Sequence, residues 1–188
     1  LQWLREKVRP YLTEKRARHV AGCEEQAVKL ARRWGADVYE AAEAGILHDI
    51  TKKLSDEEQL IMCDKYGIIL DAAERRNPRI LHARTGAALA REKFGIPDGI
   101  YSAIRWHTTG KPDMSLMEKI IYLADFTEPT RDFVEPLRKL CFEDIDRAME
   151  LGLRMSLEEI RSRGEDAYKD TVDAYQWYKK EQGGSATC

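Results

Sequence analysis

Four histidines occur in the chain, His19, His48, His82 and His107, each in or at the end of a segment that reads as helix. His48 is followed directly by Asp49, after the small apolar run Ala44-Gly45-Ile46-Leu47. A second acid, Asp125, closes the apolar run Ile120-Ile121-Tyr122-Leu123-Ala124. A lone histidine on an amphipathic helix is usually a packed or solvated residue, and an aspartate at a helix end is usually a cap. A carboxylate that intrudes on an apolar face is different, because burying it is costly unless a cation or hydrogen-bond donors meet it. Two such intrusions favour a shared cation. Imidazole nitrogen together with carboxylate oxygen suits a divalent metal of the iron, manganese or zinc type. Such an ion leaves positions for water and phosphate oxygen, lowers the pKa of the water and polarises a phosphoryl group. His48 and Asp49 can reach one ion together where the chain leaves helical geometry, with His19 and Asp125 arriving from other helices.

The elements that must position these residues are helical. Thr13 caps a helix running to Trp34 and closed by Gly35, with an apolar stripe at Val20, Cys23, Ala27, Leu30 and Ala31. Asp37 caps the next helix, which runs to His48. Ser55 with Glu58 and Ser115 with Glu118 have the spacing of capping boxes. Asn77-Pro78 predicts a helix start, with proline at the first helical position and an end near Phe94-Gly95. Pro97-Asp98 opens a shorter helix to His107, and two or three more fill 134–180. Nothing reads as a strand or a repeat. The expectation is one all-α domain over 1–182, with about eight helices, and a flexible tail over 183–188.

Composition agrees with that class. The 188 residues are 43% hydrophobic and 34% charged, a globular mix. The formal net charge of −2 offers no broad positive field, so nucleic acid is not an expected partner. No apolar run approaches the roughly 20 residues of a membrane helix, and the charged start Leu1-Gln2-Trp3-Leu4-Arg5-Glu6-Lys7 is unlike a signal peptide. Cys23, Cys63, Cys141 and Cys188 are scattered without metal or disulfide spacing, which points to reduced thiols in a cytoplasm. Trp3, Trp34, Trp106 and Trp177 read as packing residues.

The order His19, His48-Asp49, Asp125 resembles the HD superfamily of metal-dependent phosphohydrolases. The finer resemblance is to the YqeK-type symmetrical bis(5′-nucleosyl)-tetraphosphatases. It is carried by Arg18-His19-Val20-Ala21-Gly22, Ala44-Gly45-Ile46-Leu47-His48-Asp49-Ile50-Thr51-Lys52, Ile80-Leu81-His82-Ala83, Ile104-Arg105-Trp106-His107-Thr108-Thr109-Gly110 and Ile121-Tyr122-Leu123-Ala124-Asp125-Phe126-Thr127-Glu128-Pro129-Thr130-Arg131. The resemblance implies a helical HD domain and bound iron, with manganese as an alternative, as one ion or two. It implies a dinucleoside polyphosphate substrate, diadenosine tetraphosphate, cut symmetrically to ADP, and it leaves room for a homodimer. Carried over by position, His19, His48, Asp49 and Asp125 would hold the metal, and Asp49, His82 and His107 would be the catalytic residues. His82 and His107 would stand over the phosphates, or hold a second metal with Asp49 bridging.

A polyphosphate needs local cations in so acidic a chain. Lys52 and Lys53 follow the His-Asp pair, Arg131 lies six residues beyond Asp125, and Thr108 and Thr109 offer hydroxyls beside His107. An arginine fork suits two phosphate oxygens. The ring-rich C-terminal stretch is expected to pack on the core, with Tyr168 or Thr171 bordering a nucleotide pocket. The alternatives are another HD-type nucleotide activity, either nucleotidase or phosphodiesterase, and a non-catalytic nucleotide-binding module. Substrate profiling separates the enzymes from one another, and an intact ligand set argues for catalysis over mere binding.

Overall fold

Most helix starts are set by side-chain caps visible in the sequence. In the computed structural model, which describes residues 1–184 with side chains through residue 181, Thr13 accepts from the Arg16 backbone and opens α2 (Glu14–Trp34). Gly35, at φ 74°, closes α2 in the left-handed region that glycine tolerates best. Asp37 accepts from Tyr39 and Glu40 and opens α3 (Val38–Leu47), with His48 as its C-terminal cap. Both capping boxes form, Ser55–Glu58 on α4 (Asp56–Lys65) and Ser115–Glu118 on α8 (Leu116–Thr127). Losing one such cap costs about 1 kcal/mol.

Between these lie α6 (Leu81–Phe94) and α7 (Asp98–Trp106). The C-terminal layer is α9 (Glu135–Glu143), α10 (Ile145–Ser162) and α11 (Lys169–Gly184). Two short helices escape the sequence reading, α1 (Gln2–Val8) and α5 (Ala72–Arg76). Both are too short to be stable alone; α1 buries Leu4 and Val8, whereas α5 buries no residue and is held by an Asp71–Glu74 capping box that the sequence also offered. The start at Asn77-Pro78 also differs from expectation. Pro78–Ile80 forms a 3-10 turn, and α6 begins only at Leu81. No strand occurs among the described residues. Of the tail expected at 183–188, Gly183 and Gly184 continue α11 and the remaining four residues lie outside the described residues.

α2 packs along α3 and α8, α6 packs on α7, and α7 bridges to α3 and α8. These five helices wrap one apolar core that includes Cys23, Leu30, Leu47, Ile104, Ile121 and Leu123, each at 1% exposure or less. Burying one such leucine or isoleucine contributes about 1.5–3 kcal/mol. α10 packs outside α8, held between α9 and α11. Gly45 lets α3 approach α2, since a Cβ there would stand 2.9 Å from the Glu24 Cα. Trp34, Trp106 and Trp177 pack on the core as expected, whereas Trp3 is 60% exposed and meets only the edge of Phe94. No helix among the described residues is long and apolar enough to cross a membrane.

Candidate metal centre

The four histidines come from α2, the end of α3, α6 and the end of α7, and all four rings converge. Three are held in the same way. Nδ1–H of His48 donates to Gly45 O, that of His82 to Arg79 O and that of His107 to Ile104 O, each at 2.7 Å and each one helical turn back. A carbonyl oxygen can only accept, so Nδ1 carries the proton and Nε2 presents a lone pair. His19 is oriented by Glu128, whose Oε1 lies 3.1 Å from its Nδ1. The Nε2 atoms then face one another, His19 to His48 at 3.3 Å and His82 to His107 at 3.2 Å. Lone pairs brought this close repel unless a cation lies among them. Metal-ligating histidines are held in this way, with the far ring nitrogen donated to a carbonyl or carboxylate.

Asp49 sits between the two pairs. Its Oδ2 lies 3.3 Å from His48 Nε2 and 3.6 Å from His19 Nε2, and its Oδ1 lies 3.3 Å from His82 Nε2 and 3.8 Å from His107 Nε2. Asp125 Oδ1 joins the first side, 3.0 Å from His19 Nε2 and 4.0 Å from His48 Nε2. Two overlapping triads have all their donor atoms within 4.8 Å, His19/His48/Asp125 and His48/Asp49/His107. Donor separations of this size, all nitrogen and oxygen, fit a divalent ion with bonds of about 2.0–2.2 Å. His48, Asp49, His82 and His107 are almost wholly buried.

The electrostatics describe a centre that calls for positive charge. Burial works against ionising Asp49, but His48, His107 and His82 outweigh it and hold the carboxyl well below its usual range. Asp125 is likewise depressed, with burial overcome by its hydrogen bond to His19 and the charges of His48 and His107. For His48, burial opposes protonation, yet Cys23 and Asp49 raise its pKa well above the usual value. A bound cation would replace that proton. His82 goes the other way, lowered by burial and by the charge of Lys52. Burial pushes the Cys23 thiol up, more than its contact with His48 lowers it.

Two connecting cavities open from the cluster. The smaller, about 400 Å³, is lined only by polar and charged side chains, among them Lys15, Arg16, Lys52, Thr108, Thr130 and Arg131. The larger, about 520 Å³, shares Lys52, Thr108, Asp125 and Arg131 with it but adds apolar walls such as Ile80, Phe126, Val134 and Ile160. Lys52 Nζ stands 3.2 Å from both ring nitrogens of His82, and Thr108 Oγ1 is 3.2 Å and 3.1 Å from the Nε2 atoms of His82 and His107. Arg131 Nη2 donates to Asp125 Oδ1 at 3.2 Å. Tyr168 is half-buried on the wall of the larger cavity.

Three sequence expectations land elsewhere. Lys53 turns away and donates to Pro10 O at 2.5 Å. The Thr109 hydroxyl faces inward and donates to Gly110 O. Thr171 is 1% exposed, borders neither cavity, and its hydroxyl meets no hydrogen-bond partner. The reason is the face that α11 buries. Thr171, Ala174 and Tyr178, at helical spacing, form the core stripe.

Two residues at the centre were missed. Arg16 donates to Asp49 Oδ2 at 2.7 Å, and its signal was its place one turn before His19 on the same helix. Glu128 is 1% exposed and also accepts from the Thr130 backbone at 2.7 Å. It presses so close on α2 that a Cβ at Gly22 would stand 2.5 Å from its Oε2.

The description that matches this arrangement is the HD domain, over residues 16–130. That span carries every residue of the cluster. The chain belongs to the HD-domain family. Its curated relatives include proteins named symmetrical bis(5′-nucleosyl)-tetraphosphatase. The one from Bacillus subtilis is 38% identical over 90% of this chain and 92% of its own length. The one from Halalkalibacterium halodurans is 37% identical over 93% and 95%. A crystal structure from Clostridium acetobutylicum, described as a predicted HD superfamily hydrolase involved in NAD metabolism, superposes with a TM-score of 0.92. It is 34% identical and covers 96% of this chain and 97% of that one. Membership in the HD family fits the nitrogen and oxygen donor set at the centre.

Proposed function

We propose that this protein is a metal-dependent hydrolase that cuts diadenosine tetraphosphate at its central anhydride, giving two ADP. The observation that carries the proposal is the convergence of four Nδ1-anchored histidines on the two oxygens of Asp49, beside a cavity lined by cations. The names of the Bacillus and Halalkalibacterium relatives supply the substrate. His19, His48, Asp49 and Asp125 would hold the metal. His82 and His107, facing the other oxygen of Asp49 with Lys52 beside them, would stand over the phosphates. Iron is the metal that the family resemblance implies, with manganese as the alternative, and the imidazole and carboxylate donors suit a divalent ion of this type. When bound, the metal supplies Lewis acidity to a phosphoryl oxygen and acidity to water.

The chain's own groups do the rest. Lys52, Arg131 and Thr108 line both cavities and bind the phosphates that cross between them. Lys52 has its pKa lowered mainly by burial, against the raising effect of Asp49 and Asp125, and an arriving phosphate adds negative charge that favours its charged form. Arg16, held on Asp49 and lining the polar cavity, is a further phosphate contact. Tyr168 borders the nucleoside. The buried free thiols of Cys23, Cys63 and Cys141 support a reducing, cytoplasmic setting.

The test is chromatography of the products after incubation with diadenosine tetraphosphate and Fe(II) or Mn(II). ADP as the sole product is expected. AMP with ATP would mean asymmetrical cleavage, and no turnover of this substrate, with turnover of monophosphates or cyclic dinucleotides instead, would refute the assignment.

A further inference from the structure

Phe133 is 98% exposed and lines the larger cavity. Its backbone has φ 61°, in the left-handed region where a bulky side chain is unfavourable. Among the described residues the other non-glycine with positive φ is Asp113, a type that adopts this conformation far more readily. The segment that carries Phe133 is pinned. Arg138 of α9 reaches back to the carbonyls of Thr127, Glu128 and Arg131, at 2.9, 3.2 and 3.0 Å. Val134, next in sequence, is buried at 8% exposure. A tied-down loop therefore presents a strained, solvated phenyl ring at the mouth of a cavity. Glycine would serve the backbone better, and a polar residue would serve the surface better. Neither local geometry nor packing accounts for phenylalanine, and outliers of this kind concentrate where ligands bind.

The two cavities divide the chemistry of a nucleotide between them. The smaller has no apolar side chain in its lining and suits phosphate. The larger meets it at Lys52, Thr108, Asp125 and Arg131, offers apolar and aromatic walls, and has the volume of a typical small-molecule site. A nucleobase attached to phosphates at the metal centre would find apolar walls in the larger cavity and none in the smaller.

We infer that Phe133 is the stacking platform for the nucleobase of the nucleotide half that lies in the larger cavity. The inference rests on the function proposed above. Because every base has a π-face, stacking selects for an aromatic base without choosing among bases. Phe133 therefore makes this subsite tolerant of the purine, with Tyr168 on the wall of the same cavity.

The experiment is a calorimetric titration of ADP and of inorganic pyrophosphate into metal-loaded wild-type, Phe133→Gly and Phe133→Trp proteins. Pyrophosphate carries the phosphates without the base. In Phe133→Gly, ADP is expected to bind about 5- to 160-fold more weakly, the range of one base–aromatic stack. Pyrophosphate affinity stays unchanged, and the melting temperature is at or above that of wild type, since glycine accepts the backbone without strain. In Phe133→Trp the affinity for ADP returns, and ADP quenches the added emission while pyrophosphate does not. An ADP affinity in Phe133→Gly equal to wild type, an equal loss for pyrophosphate, or no ADP binding to wild type overturns the inference. The titration needs no turnover. A wild-type protein that binds ADP but leaves diadenosine tetraphosphate intact would refute the proposed reaction, and the contrast between ADP and pyrophosphate would still decide the role of Phe133.

Discussion

The two sides of Asp49 are built from the same kinds of atoms but differ in charge. On one side His19 and His48 face Oδ2, with Asp125 as a second carboxylate. On the other, His82 and His107 face Oδ1, and their extra neighbours are the ammonium of Lys52 and the hydroxyl of Thr108. The first side has two carboxylates, each also met by an arginine, Arg16 on Asp49 Oδ2 at 2.7 Å and Arg131 on Asp125 Oδ1 at 3.2 Å, whereas the second has a lysine and no carboxylate besides the shared Asp49. By donor set the first side is the better cation site, and we propose that the second faces the phosphate. The difference teaches that one bridging carboxylate can serve both a resident ion and the negative charge of a substrate, provided the two sides have unlike neighbours.

Removing the bridge has the largest expected effect. Asp49→Ala abolishes turnover and metal retention while circular dichroism stays that of the helical fold. Metal raises the melting temperature of wild type by preferential binding to the folded state, and the variant loses this increment. Full metal occupancy with near-normal turnover in Asp49→Ala would break the assignment.

Breaking only the second side is the next largest. His82→Ala and His107→Ala should each lower turnover by about 10²–10⁴-fold, the usual worth of a group acting on the proton or the phosphate. The ion held by His19, His48 and Asp125 stays bound, which metal analysis reads directly. Unchanged kinetics in both variants would leave these histidines with a packing role alone.

Arg131→Ala tests the phosphate side without touching a histidine. ADP binding should weaken by about 1.5–3 kcal/mol if the guanidinium donates to a phosphate, and AMP should bind wild type more weakly than ADP. Calorimetry with both ligands checks this, and equal affinities for AMP and ADP would place the phosphate pocket elsewhere. Lys53→Ala, by contrast, should leave ADP affinity within about 0.5 kcal/mol of wild type, the scale of an ordinary surface substitution. Its ammonium is engaged at Pro10.

Gly45→Ala acts on the chemistry only indirectly, through the scaffold. Its Cβ meets the α2 backbone at Glu24. Overpacking of this kind costs about 1–3 kcal/mol, or several degrees of melting temperature in a chain of this size. Because His48 is anchored on the Gly45 carbonyl, metal affinity should fall with it. A variant as stable as wild type would show that α3 can retreat without cost.

Much of this was legible in the residues. The caps at Thr13, Asp37, Ser55 and Ser115 and the closure at Gly35 are local hydrogen-bond and φ requirements, so they appear where the sequence places them. His48-Asp49 and Asp125 were recognisable because ionisable groups on apolar faces need an explanation, His19 was added as a ligand from another helix and by family resemblance, and the structure brings all four together. What was misread is direction. Lys52 and Lys53 are neighbours in a turn, yet one reaches His82 and the other Pro10. Thr108 and Thr109 divide in the same way, one toward the cavity and one into the core. Adjacent side chains in helical or turn geometry diverge, and only the neighbouring helices decide which of them faces the site.

The chain by itself determined the donor types, the helices that carry them and the small residues that let those helices meet, because these are matters of side-chain chemistry and local backbone preference. Only the tertiary structure decided that Asp49 offers one oxygen to each histidine pair, that Glu128 orients His19, that Arg16 arrives at Asp49 from one turn before His19, and that Phe133 stands exposed at the mouth of the larger cavity. Each of these depends on where separate helices and the α8–α9 loop come to rest against one another, a sum of many weak packing contacts that no short stretch of sequence contains.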